Sequence, residues 1–274
     1  MARLERVLPE APPRVPEGDA IAWRWRRSGR AGGGFVPVAR PAAVALEDLR
    51  GIDDQKAALE RNTRQFLRGL PCNNALLSGA RGTGKSSLVK ALLRAYADEG
   101  LRLIEVDATD LVDLPDIVAP LVDREERFVV FADDLAFDAD DAGYRALKAV
   151  LEGSVAGAPD NVAIYATSNR RHLVPEYMSD NLDAKPVDGE IHPGEAVEEK
   201  ISLSERFGLW LSFHPFGQDD YLAIVAAWLE RVDPGLAFDE TARQAALQWA
   251  LMRGARSGRV ARQFALDWAG SARL

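Results

Sequence analysis

One eight-residue run constrains this chain more than any other feature. Gly79-Ala80-Arg81-Gly82-Thr83-Gly84-Lys85-Ser86 fits the phosphate-loop pattern G-x4-G-K-[ST]. Asn74 to Ser78, just before it, is short and mostly apolar and reads as a buried strand. Lys85 to Tyr96, just after it, reads as a helix. Glycines let the backbone turn so that successive N–H groups face one point. The helix N-terminus adds a partial positive charge there. The spacing predicts that Lys85 reaches the β- and γ-phosphates of a nucleotide, and that the Ser86 hydroxyl ligates Mg²⁺. A strand–loop–helix of this kind belongs to a parallel sheet, and the rest of the chain supports one.

Strand and helix patterns alternate from about Leu46. Asp53 to Leu70 reads as an amphipathic helix, with Ala57, Leu59, Phe66 and Leu67 as its apolar positions. Leu101 to Val106, Phe128 to Ala132, Val162 to Thr167 and Leu209 to Phe213 read as strands. Leu114 to Val122 and Tyr144 to Glu152 read as helices. Most of the strands are apolar throughout rather than alternating, the pattern of a sheet covered on both faces. Beyond Pro215 the pattern is helical: Asp219 to Arg231, Asp239 to Met252 and Val260 to Ala269. The fold class expected is α/β, a parallel sheet flanked by helices with a small C-terminal helical lid. The expected divisions are an irregular basic extension over 1–44, an α/β core over 45–215 and the lid over 216–274.

Phosphoryl transfer also needs a metal anchor and a positioned water. Phe128-Val129-Val130-Phe131-Ala132-Asp133-Asp134 supplies the residue types: a buried strand ending in two carboxylates, at the sheet edge where ligands bind. Asp133 is expected to hold Mg²⁺, directly or through water, and Asp134 to polarise the attacking water.

Composition excludes several alternatives. The net charge of −8 argues against a surface that grips nucleic acid throughout. A single cysteine, Cys72, rules out an intrachain disulfide and a multi-cysteine zinc site. No apolar run approaches the 18 or so residues of a membrane helix, and Met1 to Pro16 is not a secretory leader, so a cytoplasmic location is expected. Charge is uneven along the chain. Residues 1–44 carry eight arginines against four acids. They read as a poorly packed arm, or as a basic arm for a partner, DNA or a neighbouring subunit, with Trp23 and Trp25 either stacking on bases or covering a core edge. Residues 176–200 carry eight acids against two lysines and read as a long solvated loop.

From about Leu46 to the C-terminus the chain resembles the AAA+ P-loop ATPases. Thr167-Ser168-Asn169 follows a strand where those proteins carry the sensor-1 polar residue, which implies that Asn169 orients the water or the γ-phosphate. Ser204-Glu205-Arg206-Phe207 precedes the last strand, which implies that Arg206 is a finger reaching a neighbour's nucleotide. Gly254-Ala255-Arg256-Ser257-Gly258-Arg259-Val260-Ala261-Arg262 resembles the sensor-2 region. Arg259 is the expected γ-phosphate contact, with Arg256 and Arg262 as rivals. Asp48-Leu49-Arg50-Gly51-Ile52-Asp53 resembles the segment that packs on adenine, with Gly51 and Ile52 nearest the base. Gly79, Arg81, Gly82, Thr83, Gly84, Lys85, Ser86 and Ser87 complete the expected nucleotide contacts.

A closer resemblance is carried by Leu-Ser-Gly-Ala-Arg-Gly-Thr-Gly-Lys-Ser-Ser, Asp-Asp-Leu, Ser-Glu-Arg-Phe-Gly-Leu-Trp and Arg-Ser-Gly-Arg-x-Ala-Arg-Gln-Phe. These look like a bacterial AAA+ group known as domain-of-unknown-function family 815. The resemblance implies ATP and Mg²⁺ as cofactors, a homo-oligomer that forms with ATP, and a macromolecular protein partner. It leaves three functions open: an ATPase that couples hydrolysis to conformational change, a nucleotide-dependent switch or adaptor with little turnover, and a DNA-associated loader. One departure is visible. Most AAA+ proteins have Asp-Glu where this chain has Asp133-Asp134, and the shorter side chain implies slow hydrolysis.

Overall fold

The computed structural model describes residues 15–27, 32–137, 141–152, 159–169, 185–187, 190–192 and 206–274. The elements of its main body are β1 (Ala22–Arg27), β2 (Gly33–Pro37), α1 (Asp53–Leu67), β3 (Ala75–Gly79), α2 (Lys85–Tyr96), β4 (Leu101–Val106), α3 (Leu114–Val118), β5 (Arg127–Ala132), α4 (Ala142–Glu152) and β6 (Val162–Ser168). Two short strands, β7 (Lys185–Val187) and β8 (Glu190–His192), pair antiparallel by themselves. Then come β9 (Leu209–Phe213), α5 (Gln218–Val232), α6 (Glu240–Arg253) and α7 (Gly258–Ser271). The main sheet has the order β2-β1-β4-β5-β6-β3-β9, and every neighbouring pair except β1–β2 is parallel.

Each central strand feeds two cores, because successive side chains leave opposite faces. On β5, Val129 and Phe131 pack with Leu59 and Phe66 of α1 and Leu88 and Leu92 of α2. Phe128 and Val130 pack with Ile117 of α3 and Leu147 of α4. Apolar residues are needed at every position of such a strand, which is why Phe128 to Ala132 shows no alternation. The lid joins the first core through Tyr221, Val225, Ala261 and Phe264. The expected helix over Leu114 to Val122 is shorter. Turns of 3₁₀ helix over Ala108–Asp113 and Ala119–Leu121 flank α3.

The expectation of an irregular arm over 1–44 is overturned for Ala22–Arg27 and Gly33–Pro37. These two strands pair antiparallel and extend the sheet, with β1 pairing in parallel on β4 and Trp23 opposite Ile104. The physical reason lies in the alternation Trp23-Arg24-Trp25-Arg26, which has the two-residue period of a half-buried strand. Trp23 and Trp25 are 1% and 3% exposed and Phe35 is fully buried. Burying a side chain of that size contributes about 1.5–3 kcal/mol. The arginines find partners within the chain. Arg24 Nε donates to Glu105 at 2.9 Å, Arg27 is bidentate on Asp113 at 2.7 and 2.6 Å, and Arg26 lies 3.7 Å from Asp107. Arg3, Arg6, Arg14 and Arg30, and most of the acidic run over 176–200, lie outside the described residues. Among the described residues, no helix is long and apolar enough to cross a membrane.

Candidate functional site

The glycine-rich run leaves the end of β3 and caps α2. Gly79 has φ +128°, and a Cβ there would lie 1.9 Å from the Phe213 carbonyl oxygen on β9, so only glycine fits. That same carbonyl accepts from Ala80 N at 3.0 Å, stapling the loop to β9. Inside the loop, Thr83 Oγ1 donates to the Ala80 carbonyl at 2.8 Å, and Gly84 is the left-handed N-cap of α2.

Lys85 is 5% exposed. Its Nζ donates to the carbonyls of Gly79 (2.8 Å) and Ala80 (2.7 Å) and to Asn169 Oδ1 (3.0 Å). Burial lowers its pKa below the ordinary lysine value, and Arg81 and Arg259 push the same way. The nearby Asp134 and Asp133 oppose the shift.

The two carboxylates stand at the end of β5, beside the end of β6. Asp133 Oδ1 accepts from Ser86 Oγ and from Thr167 Oγ1, both at 2.6 Å. Asp134 N donates to Thr167 Oγ1 at 2.9 Å, and Asn169 Nδ2 donates to Asp134 Oδ1. Asp134 has φ +55°, and among the described residues no other non-glycine has positive φ. Aspartate tolerates this conformation better than most residues because its short polar side chain bonds locally. Lys85, Asn169 and Asp134 thus form one hydrogen-bonded chain, and Ser86, Asp133 and Thr167 a second beside it.

These groups open on a cavity of about 980 Å³. Its sheet-side lining includes Arg81, Gly82, Thr83, Gly84, Lys85, Ser86, Ser87, Asp133, Asp134, Thr167 and Asn169. Leu49, Arg50 and Ile52 line it ahead of α1, and Phe216, Ile224, Trp228, Arg231, Gly258, Arg259 and Arg262 line it from the lid. The lid is docked onto the loop itself: Gly258 N donates to the Gly82 carbonyl at 2.9 Å. Gly82 has φ +74°, and a Cβ on it would meet Ser257 Oγ at 2.8 Å.

The three rival arginines separate. Arg259 and Arg262 line the cavity, and the Arg262 guanidinium lies 5.4 Å from the Trp228 ring centroid. Arg256 does not line that cavity and lines instead a second one of about 770 Å³, together with Leu247, Leu251 and Ala255. Gly51 does not line the cavity. It sits under Phe216, 3.1 Å from where its Cβ would be, while its neighbours Arg50 and Ile52 face inward. Arg206 is not brought to its own chain's cavity and pairs with Glu152 at the end of α4. Ser204 and Glu205 lie outside the described residues.

Sequence reasoning missed Thr167, although it stands two residues before Asn169. It also missed the lid's apolar lining, where Ile224 and Trp228 sit four residues apart on one face of α5. Arg231, which pairs with Asp48, gave no signal in sequence.

The donor set suits Mg²⁺. The Ser86 hydroxyl and the Asp133 carboxylate are hard oxygen donors already within 2.6 Å of each other. Magnesium characteristically takes one or two such protein ligands and fills its remaining positions with water and phosphate oxygens. No cluster of three His, Cys, Asp or Glu side chains, of the kind that builds an all-protein metal site, occurs among the described residues.

A parallel sheet with a phosphate loop at one strand end, paired carboxylates at the next but one and a helical lid over both is the AAA+ P-loop fold. The chain belongs to the family described as "Protein of unknown function (DUF815)", whose family model matches residues 18–272. Two variants of Thermotoga maritima RuvB are similar in structure, each at TM-score 0.52 and 16% identity over 81% of this chain. The alignment covers 62% and 63% of those RuvB chains, so this chain spans less than two thirds of their length. The Aeropyrum pernix ORC1 protein, solved in complex with DNA, aligns at TM-score 0.51 and 16% identity over 78% of this chain and 58% of its own. No curated protein matches the sequence.

Proposed function

We propose that the chain binds ATP with Mg²⁺ in the 980 Å³ cavity and hydrolyses it, using the cycle to change its conformation on a macromolecular partner. The observation that carries this reading is the convergence of Lys85, Ser86, Asp133, Asp134 and Asn169 into the two hydrogen-bonded chains at one sheet edge. Lys85 and the loop amides hold the β- and γ-phosphates. Ser86 and Asp133 hold the metal, which supplies charge neutralisation on the phosphate oxygens. Ile52 and Trp228 flank the base, and Arg259 reaches the γ-phosphate from the lid. Asp134 accepts a hydrogen bond from the attacking water and draws its proton, while Asn169 orients the pair. Arg206 completes the site of a neighbouring copy, so turnover depends on assembly. Aspartate at position 134 is one methylene short of glutamate, and a misplacement of about 1 Å costs on the order of 10²-fold in rate. Hydrolysis is therefore slow.

A nucleotide-dependent switch or adaptor is the second reading, favoured by the Asn169–Asp134 bond that occupies the water-activating carboxylate. A DNA-associated loader draws support from the ORC1 neighbour's complex with DNA. It loses support from the basic segment, where Arg24, Arg26 and Arg27 are engaged by Glu105, Asp107 and Asp113.

The test is ATP turnover by the purified protein over a wide concentration range, with Arg206→Ala in parallel. Specific activity that climbs with concentration in wild type and stays flat in the variant supports an assembled ATPase with a trans arginine. Tight ATP binding with negligible turnover at every concentration supports the switch.

A further inference from the structure

We propose that Thr167 is a positioning residue that sets both carboxylates of the site at once. The inference rests on the Mg²⁺–nucleotide reading above. The β5–β6 ladder ends at the pair Ala132↔Ala166, so Thr167 is the first residue beyond it and lies alongside Asp133. The residue is 1% exposed. A hydroxyl carries one donor and two acceptor sites, and this one uses both functions. It donates to Asp133 Oδ1 at 2.6 Å and accepts from Asp134 N at 2.9 Å. The first bond fixes the carboxylate that faces Ser86. The second satisfies the amide of a residue held at φ +55°, a conformation that persists in a non-glycine when its surroundings over-determine it. The main chain of Thr167 adds a third tie, its carbonyl accepting from Leu135 N at 2.7 Å. Thr167 thus makes three of the ties that hold residues 133–135 to the end of β6, beside Ser168 Oγ on the Leu135 carbonyl at 2.8 Å and Asn169 Nδ2 on Asp134 Oδ1, and it alone touches both Asp133 and Asp134 with one hydroxyl.

Groups that orient a metal ligand from behind typically change metal affinity 10–100-fold when removed. Valine matches threonine in shape and lacks the hydroxyl, and serine keeps it. The experiment titrates Mg²⁺ into wild type, Thr167→Val and Thr167→Ser, reading the binding of a fluorescent ATP analogue. The expected result is a Mg²⁺ midpoint raised about tenfold in Thr167→Val and restored to within about twofold by Thr167→Ser, with analogue binding in EDTA equal in all three. An unchanged midpoint in Thr167→Val overturns the proposal, as does an equal loss of binding in EDTA, which would mark general damage to the fold. In an Asp133→Asn background the valine effect should vanish; if it persists in full, Thr167 does not act through Asp133 and the proposal falls. If the valine variant does not fold, Thr167→Cys, a weak donor, carries the same comparison. A wild-type protein that binds no nucleotide would sink the ATP reading itself, and this proposal with it. That outcome is distinct from a nucleotide site indifferent to Thr167.

Discussion

The two walls of the cavity are built differently. The sheet-side wall is a mesh: Lys85 is held by three acceptors, Asp133 by two hydroxyls and Asp134 through both its amide and its carboxylate. Asp133 and Asp134 follow the end of β5, which has ladders on both sides, and Lys85 opens α2. The lid-side wall is apolar and cationic, built from Phe216, Ile224, Trp228, Arg231, Arg259 and Arg262. It meets the mesh through one peptide, Gly258 on Gly82, and meets the segment ahead of α1 through Arg231 on Asp48. A wall fixed by many short polar contacts is pre-organised and cheap to use repeatedly. A wall fixed by few such contacts and a slab of side chains moves as a unit. On the function proposed above, the chemistry is assigned to the sheet and the conformational response to the lid.

The comparison breaks first at Lys85. Lys85→Ala should weaken ATP binding by roughly 100-fold, or about 3 kcal/mol, because a buried ammonium forms charge-assisted hydrogen bonds that alanine cannot replace. Calorimetric titration decides it, and unimpaired affinity would remove the sheet wall from the nucleotide site. Asp134→Ala separates the wall's two jobs. ATP affinity should stay within a few-fold of wild type while single-turnover hydrolysis falls by on the order of 10²-fold or more. A variant that still hydrolysed at the wild-type rate would move the water-activating role elsewhere.

The lid's attachment comes next. Gly82→Ala places a methyl against Ser257 and asks a non-glycine to hold φ +74°, a strain of about 1–2 kcal/mol. We expect about tenfold weaker nucleotide binding and faster amide exchange at Gly258 to Val260, with exchange in β5 and β6 unchanged. Equal acceleration in the sheet would mean the two walls are one cooperative unit. The smallest effect belongs to Arg231→Ala. Its partner Asp48 is well covered but the arginine side chain is 46% exposed, so the pair contributes about 0.2–1 kcal/mol. The melting temperature should drop by no more than about 3 °C, and the difference should shrink in high salt.

The same contrast explains what the sequence revealed. Gly79 to Ser86, Asp133 and Asn169 were legible because each is a local signal: a glycine pattern, a strand ending in acid, a polar residue after an apolar run. The central strands and the three lid helices were legible from periodicity. The contacts of Thr167 were hidden because they arise from register, from where the β5–β6 ladder stops, and register is not written in either strand alone. Trp228 and Arg231 were hidden because a lid helix shows an apolar face without saying which part of it covers a cavity. The β1–β2 strand pair was obscured for a different reason. Its arginines look like a charge surplus aimed at a partner, while Glu105, Asp107 and Asp113, which neutralise them, come about 80 residues later. Net charge over a window is blind to such long-range pairing, and the Trp–Arg alternation is the better guide.

The resting contacts of Lys85 set a threshold on what the cavity accepts. An ammonium already served by two carbonyls and an amide oxygen is no trap for any passing anion. A solute gains only the difference between its own oxygens and the three it displaces. Chloride or a lone carboxylate offers one charge and gains little. A polyphosphate brings several charges to the same point, and Ser86, Asp133 and Arg259 line the same cavity. On the ATP reading proposed above, that difference would work as a charge-counting filter in a solution crowded with small anions, with the loop's own backbone as the sieve.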